Sequence, residues 1–226
     1  MGVDLAGSSG LIIGADTPSG SALAGAARAA GAASLALCGL GAGRAGGAGF
    51  DKRYCLAGED PIELARLFGC VRHDHGPLDW VCCVTGPAAT AAASSAQLDV
   101  NWAESPPRWP QLSLARIVAR IEQSFLRAAL VTRLAEEEFR PRGGALLHVW
   151  DALPAGETPG QNPLEPTDAL WAACRAGLAN LVCQGGATPA AAAMRLGWYD
   201  TAERPGEDPV DALNQLLGVD RSALSR

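Results

Sequence analysis

Residues 11–24 read LIIGADTPSGSALA, and this stretch decides the fold. The apolar residues at 11–13 are typical of a short strand that is buried on both faces. A turn containing Gly14 and Gly20 follows, and an Ala-rich helical segment then runs from residue 21 to about residue 30. A strand, a glycine-containing turn and a helix in this order predict the first unit of a dinucleotide-binding βαβ fold. Pro18, however, stands where a glycine is expected in such a turn.

The rest of the chain alternates apolar strand-like runs with helical segments. Further strands are predicted near residues 34–38, 54–56, 78–84, 145–150 and 193–196. Further helices are predicted near residues 61–71, 113–140, 169–183 and 208–217. Strands that alternate with helices predict one α/β domain over residues 1–226, built on a doubly wound parallel sheet.

The composition argues against several classes of function. The chain has 226 residues, of which 48% are hydrophobic, and this is enough for one large core. A net charge of −6 makes nucleic acid and anionic membrane surfaces unexpected partners. The start lacks the basic segment of a signal peptide, and no apolar run reaches the ~20 residues of a membrane span. We therefore expect a cytoplasmic protein whose seven cysteines stay reduced and pack as small apolar side chains.

The order and spacing of these segments resemble the short-chain dehydrogenase/reductase family. The resemblance covers nearly the whole chain and is architectural, since no single motif of the family is intact. It is carried by the early glycine turn, by LDWV at 78–81 leading to Gly86, by GGALL at 143–147 and by ACRAGL at 173–178. It implies the Rossmann-like sheet of that family with a shortened C-terminal lid, and it places GWYDT at 197–201 in a loop.

The cofactor-binding residues of the family are altered in this chain. The family turn Thr-Gly-x-x-x-Gly-x-Gly corresponds to residues 13–20, so Pro18 replaces the glycine that lets the backbone approach a pyrophosphate. Proline also removes an N–H donor. We interpret the turn as a helix start, with Thr17 as N-cap and Pro18 at the first helical position. Gly14, Pro18 and Gly20 are then only what remains of a cofactor turn, and no cofactor is expected in this chain.

The catalytic residues that the resemblance implies are also replaced. The family's Tyr corresponds to Trp171, its Lys to Arg175, its Ser to a position near Asp151 and its Asn to a position near Arg120. An indole N–H only donates hydrogen bonds and cannot transfer a proton at useful pH. Tyr-x-x-x-Lys occurs nowhere in the chain. We expect Asp151 and Arg175 to form a structural ion pair that fills the former site together with Trp150 and Trp171.

The histidines give no clear alternative site. His73-Asp74-His75 is expected in a solvent-facing loop before the fourth strand, and a third metal ligand at a suitable spacing is not visible. His148 lies within an apolar strand and is interpreted as a core histidine. We therefore expect no metal site.

A dehydrogenase fold without its reactive residues favours a non-catalytic role, because fold and function can separate. In the family two long helices, here about 113–140 and 168–183, form an interface of four helices. The resemblance therefore implies a subunit that pairs with an active dehydrogenase subunit, which would hold NAD.

This arrangement resembles the one in anaerobic toluene degradation, where a hydroxyacyl-CoA dehydrogenase combines one active and one degenerate subunit. An Ala- and Arg-rich, Lys-poor composition suits a high-GC bacterium. Two alternatives stay open: an active oxidoreductase that uses Asp151 or a histidine, and a standalone ligand-binding or regulatory protein.

Overall fold

A parallel sheet forms the centre of the computed structural model, which describes residues 5–39, 52–56, 60–87, 114–152, 166–185, 194–201, 203–204 and 209–217. The strands are β1 (Ser9–Ile13), β2 (Ser34–Gly39), β3 (Lys52–Cys55), β4 (Trp80–Thr85), β5 (Gly144–Trp150) and β6 (Met194–Asp200). Their order across the sheet is β3-β2-β1-β4-β5-β6, and every neighbouring pair is parallel. The predicted doubly wound parallel sheet is confirmed.

Helices cover both faces of this sheet. They are α1 (Pro18–Ala29), α2 (Pro61–His75), α3 (Leu114–Ile121), α4 (Arg127–Phe139), α5 (Pro166–Gly185) and α6 (Pro209–Leu217). A π-helical segment, Glu122–Leu126, joins α3 to α4 without a break, so this region is the long helix that the sequence predicts. Helix α1 contacts α6, whereas α4 contacts both α2 and α5.

The central strands are fully enclosed, as their continuous apolar sequences require. Every residue of β4 and β5 is buried. Trp80 crosses the core above β1, and a Cβ atom at Gly10 would lie 2.1 Å from its ring. The Trp80 indole N–H donates to Ser8 Oγ at 2.9 Å, which satisfies the polar atom of this buried side chain.

Two helices differ from their predicted bounds. Helix α2 continues to residue 75, so residues 73–75 lie in its last turn and not in a loop. The helix ends there because Gly76 takes a positive φ of 77°, which an L-residue adopts only with strain. Helix α5 begins at Pro166, three residues before the predicted start, since proline is well tolerated in the first turn.

The prediction of a loop at residues 197–201 is wrong for all but its last residue. β6 pairs with β5 from Gly144 opposite Met194 to Trp150 opposite Asp200. The stretch is a strand because this partner, distant in sequence, supplies its hydrogen bonds, and only Thr201 follows it as a turn.

The cysteines follow the prediction only in part. All seven are free, and four of them are buried, but Cys55, Cys70 and Cys183 are exposed. The predicted lid, the irregular segments predicted at 39–49, 85–111 and 154–166, and the predicted cap at Ser113 lie at least partly outside the described residues. Within the described ranges, no helix combines the length and apolar composition that crossing a bilayer requires.

Candidate functional site

The candidate site is the crevice where the strand order reverses, between β1 and β4. Ligands of open parallel sheets bind outside the carboxyl ends of the strands at such a reversal. Three segments meet here: the turn at residues 14–20 after β1, Thr85 and Gly86 at the end of β4, and Asp151 directly after β5. We call this region the switch-point crevice.

The turn after β1 is a well-capped helix start. Thr17 is the N-cap of α1, where its hydroxyl accepts from the Gly20 N–H at 3.0 Å and donates to Gly14 O at 2.8 Å. Pro18 occupies the first turn, as the sequence predicts. Gly14 has a φ of 87°, and a Cβ atom at Gly20 would lie 2.0 Å from Gly14 O. Both glycines are therefore required by the geometry of the turn itself.

Asp151 reaches across the crevice to this turn. Ser19 Oγ donates to Asp151 Oδ1 at 2.8 Å. Asp151 is buried, with only 4% of its surface exposed. Asp151 Oδ2 has no hydrogen-bond partner among the described residues. Burial raises the pKa of the Asp151 carboxyl, and polar groups of Ser19 and Thr17 oppose this shift.

The expected ion pair between Asp151 and Arg175 is wrong. Arg175 instead contacts Asp200 through Nε and Glu203 through Nη2. The Asp200 side chain is 1% exposed, so it requires a cationic partner. The sequence did not reveal this pair because Asp200 is brought beside Trp150 only by the register of β6 against β5.

Three tryptophans occupy the region next to Arg175. The Trp150 and Trp171 rings meet edge to face with their centroids 5.8 Å apart, and Trp198 lies 6.4 Å from Trp150 on another side. Trp150 is 3% exposed and packs with Cys174 and Leu178 in a second apolar cluster. The position that resembles the family's catalytic tyrosine is thus part of an indole cluster, which offers no proton-transfer group.

Charged side chains also lie on the other side of β1. The Asp16 carboxylate faces the end of β2, where its Oδ2 would be 3.3 Å from a Cβ atom at Gly39. Arg127 of α4 is 5% exposed. Burial lowers the pKa of Arg127 to about 10, although the electrostatic influence of Cys38 and Asp16 raises it. The guanidinium therefore lies near the carboxyl ends of β1 and β2.

Solved structures with the same fold are short-chain dehydrogenases/reductases. A doubly substituted variant of one from Serratia marcescens has a TM-score of 0.63 and 14% identity, over 87% of this chain and 74% of that chain. One from Mycobacterium marinum has a TM-score of 0.62 and 17% identity, over 86% and 74%. One from Burkholderia cenocepacia, in complex with NADP, has a TM-score of 0.61 and 16% identity, over 87% and 74%.

The chain has the short-chain dehydrogenase/reductase fold. At these identities the likeness establishes the fold. No protein-family model and no curated protein matches the sequence.

The switch-point crevice does not fit the diphosphate of a nicotinamide cofactor. A diphosphate at a helix start needs free backbone N–H donors and a positive potential. Here Pro18 has no N–H, the Gly20 N–H is already bonded to Thr17, and the Asp151 carboxylate lies at the helix start. Asp16 adds a second carboxylate at the β2 end of the crevice.

The three histidines lie in the last turn of α2 and in β5. His148 is 0% exposed, and burial lowers its pKa to about 4, so it is neutral at pH 7. Its Nε2 donates to Thr132 Oγ1 at 2.8 Å, because the Thr132 hydroxyl proton goes to Ala128 O. The core interpretation of His148 is therefore confirmed. In the part of the chain that the structure describes, no three His, Cys, Asp or Glu side chains are placed to hold a metal ion.

Four buried polar or charged residues were not predicted from the sequence: Ser19, Asp200, Arg127 and Ser124. Among the residues of the long helix whose burial the structure describes, Ser124 on the π segment and Arg127 at the start of α4 are the buried polar ones. The expected position near Arg120 lies in α3, and its side chain is outside the described residues. The only signal in the sequence is the location of Asp200, a charged residue at the carboxyl end of an apolar run.

Proposed function

We propose that this chain is a non-catalytic subunit that pairs with, and supports, an active NAD-dependent dehydrogenase of the same fold. The observation that carries the proposal is that Arg175 forms ion pairs with two carboxylates. In the position that resembles the catalytic lysine, its guanidinium is engaged by Asp200 and Glu203. Trp171, in the position that resembles the catalytic tyrosine, packs against Trp150. Neither side chain can carry the family's proton transfer.

An exposed apolar stripe on α3 supports the pairing. Leu114, Val118 and Ile121 are 76%, 42% and 39% exposed, and their spacing of four and three residues places them on one helix face. Four of the five exposed large hydrophobic side chains in the described part of the chain lie on α3 and the π segment. An apolar surface concentrated in this way is typical of a protein interface.

Helix α5 offers a second surface of a complementary kind. Ala172, Ala173 and Ala176 are exposed on it. Small side chains allow another helix to approach closely, so α3 and α5 together suit a helical partner. We propose that this partner is an active subunit of hydroxyacyl-CoA dehydrogenase type, and that NAD binds there and not in this chain.

The experiment is co-expression of this chain with a dehydrogenase of the same fold that retains Tyr-x-x-x-Lys and is encoded beside it. We expect a stable complex that reduces NAD, whereas this chain alone does not. Val118→Glu should weaken the complex at least tenfold, because it buries a charge in the apolar stripe. Ile62→Glu is the matched control: Ile62 is 64% exposed on α2, so this variant should bind normally. A stable homodimer of this chain that does not bind the partner would contradict the proposal.

An active oxidoreductase with non-family residues is the second candidate, and the Asp151 carboxyl favours it. A raised pKa in a buried carboxyl is typical of general acids and bases. This candidate requires hydride transfer by the isolated chain that Asp151→Asn abolishes. Activity that persists in the variant, or none in the wild type, would argue against it.

A further inference from the structure

The most unusual feature of the switch-point crevice is a carboxylate at the start of α1. Asp151 is tied to its place by three elements. Its N–H donates to Thr85 O at 2.7 Å. Its backbone lies so close to Gly86 that a Cβ atom there would be 2.7 Å from Asp151 O. Its side chain accepts the proton of Ser19 Oγ at 2.8 Å. The ends of β4 and β5 and the start of α1 are therefore joined at one residue.

The charge on Asp151 is not needed for this hydrogen bond. An Asn or Ser side chain could accept from Ser19 without burying a charge. The carboxylate instead lies in a residue that is 4% exposed and keeps Oδ2 without a hydrogen-bond partner among the described residues. Burying a carboxylate with half of its acceptors unused is unfavourable for folding. Two features compensate: the polar groups of Ser19 and Thr17 stabilise the carboxylate, and the N-terminus of a twelve-residue helix carries a partial positive charge.

The position is also the one where an anionic ligand of this fold would bind. A helix start at the strand reversal is a ready-made anion site. Here Asp151 already supplies the anion. On the other side of β1, the Asp16 carboxylate faces the end of β2. Arg127, buried at the start of α4, interacts electrostatically with Asp16 and Cys38. The crevice thus carries its own negative and positive groups.

We propose that Asp151 is a built-in anion that occupies the start of α1 and closes the switch-point crevice to dinucleotides; we call the Ser19–Asp151 contact the Asp151 latch. This inference rests on the proposed function, because it takes the chain to work without a cofactor of its own. It adds that the chain lacks a cofactor because the site is filled from within, and not only because Pro18 replaced a glycine. The latch joins the end of β5 to the start of α1 through the Ser19–Asp151 hydrogen bond.

The test uses four full-length chains: wild type, Asp151→Asn, Pro18→Gly and the double variant. Asp151→Asn is nearly isosteric and keeps an acceptor for Ser19, so it removes the charge with little change of shape. NADH binding is measured by fluorescence titration, and inorganic pyrophosphate is the second probe, measured by calorimetry. We expect that removing the carboxylate tightens NADH and pyrophosphate binding at least tenfold, both in the wild-type background and beside Pro18→Gly. Pro18→Gly alone should remain a weak binder.

The four chains distinguish a barrier made by the carboxylate from a barrier made by the proline. Equal binding by Pro18→Gly and the double variant would overturn the latch, since proline would then be the whole barrier. Absence of saturable binding in both chains that lack the carboxylate would overturn it as well. If the double variant does not fold, Asp151→Asn against wild type decides alone.

Failure of the latch and failure of the proposed function are distinguishable. Wild-type chain that co-purifies with an active dehydrogenase, while Asp151→Asn gains no binding, refutes the latch alone. Asp151→Asn that gains nucleotide binding, in a chain that forms no complex, refutes the proposed subunit role alone.

Discussion

Removal of the Arg175 guanidinium should destabilise the fold far more than its partial exposure suggests. Arg175→Met keeps most of the aliphatic volume but takes the cation away from Asp200, whose side chain is 1% exposed. Breaking a buried pair by removing one partner costs about 3–5 kcal/mol. We expect the lower end, about 3 kcal/mol, because Arg175 itself is 34% exposed and water can follow. For a chain of this length that is a fall in Tm of about 6–12 °C.

The matched control lies on the same arginine. Glu203 also contacts Arg175, but its side chain is 65% exposed, so Glu203→Gln should change the stability by less than about 1 kcal/mol. Arg175→Met combined with Asp200→Asn should recover much of the loss, because no buried charge is then left without its partner. Urea unfolding followed by circular dichroism measures each change. Equal losses for Arg175→Met and Glu203→Gln would refute the reasoning.

Three further predictions concern the crevice and the core. Gly20→Ala should destabilise the fold by at least about 2 kcal/mol, because the added Cβ would lie 2.0 Å from Gly14 O. Gly25→Ala, with open space around it, should instead stabilise α1 by about 0.5–1 kcal/mol. Thermal unfolding compares the two variants, and similar shifts in Tm would contradict the geometry. His148 has a folded-state pKa of about 4, below its usual value, so its titration should lower the stability by roughly 3 kcal/mol as pH falls from 6.5 to 4. In urea titrations, His148→Gln should remove this share of the pH dependence and leave the share of the carboxyl groups. A slope that His148→Gln leaves unchanged would contradict the prediction. The pKa of Asp151 is raised, so its contribution to stability has the opposite sign. This contribution is complete below the pKa of the unfolded state and is lost as the pH rises through the pKa of the folded state. Asp151→Asn should remove that pH dependence.

The capping turn was readable from the sequence because its physics is local. Thr17 accepts from the N–H of Gly20 three residues away, and Asp60 accepts from the N–H of Ile62 two residues away. Pro18 acts at its own position, where its fixed φ suits the first helical turn and no N–H is left without a partner. The same holds for the strands, since apolar runs of β4 and β5 can be buried only in a sheet with both faces covered. The fold class followed from these signals.

The contacts of the candidate site were not readable in this way. The sequence suggested that Asp151 would pair with Arg175, since both carry opposite charges at positions that face one site in the family. Both residues contact other partners, because the direction of each side chain and the register of β6 against β5 decide which groups lie within contact distance. Asp151 contacts Ser19 at the start of α1, and Arg175 contacts Asp200 at the end of β6.

By itself, the sequence of residues 11–24 determined a strand, a capped turn and a helix, and with the rest of the chain it determined a doubly wound parallel sheet. Its resemblance to the short-chain dehydrogenase/reductase family also predicted that Trp171 and Arg175 stand where that family has its tyrosine and lysine. Only the tertiary structure decided what fills the switch-point crevice. The Ser19–Asp151 bond joins residues 132 positions apart, and the Arg175–Asp200 pair depends on the register of β6. Such contacts are set by how the elements pack, and the physical chemistry of a short segment contains no information about that packing.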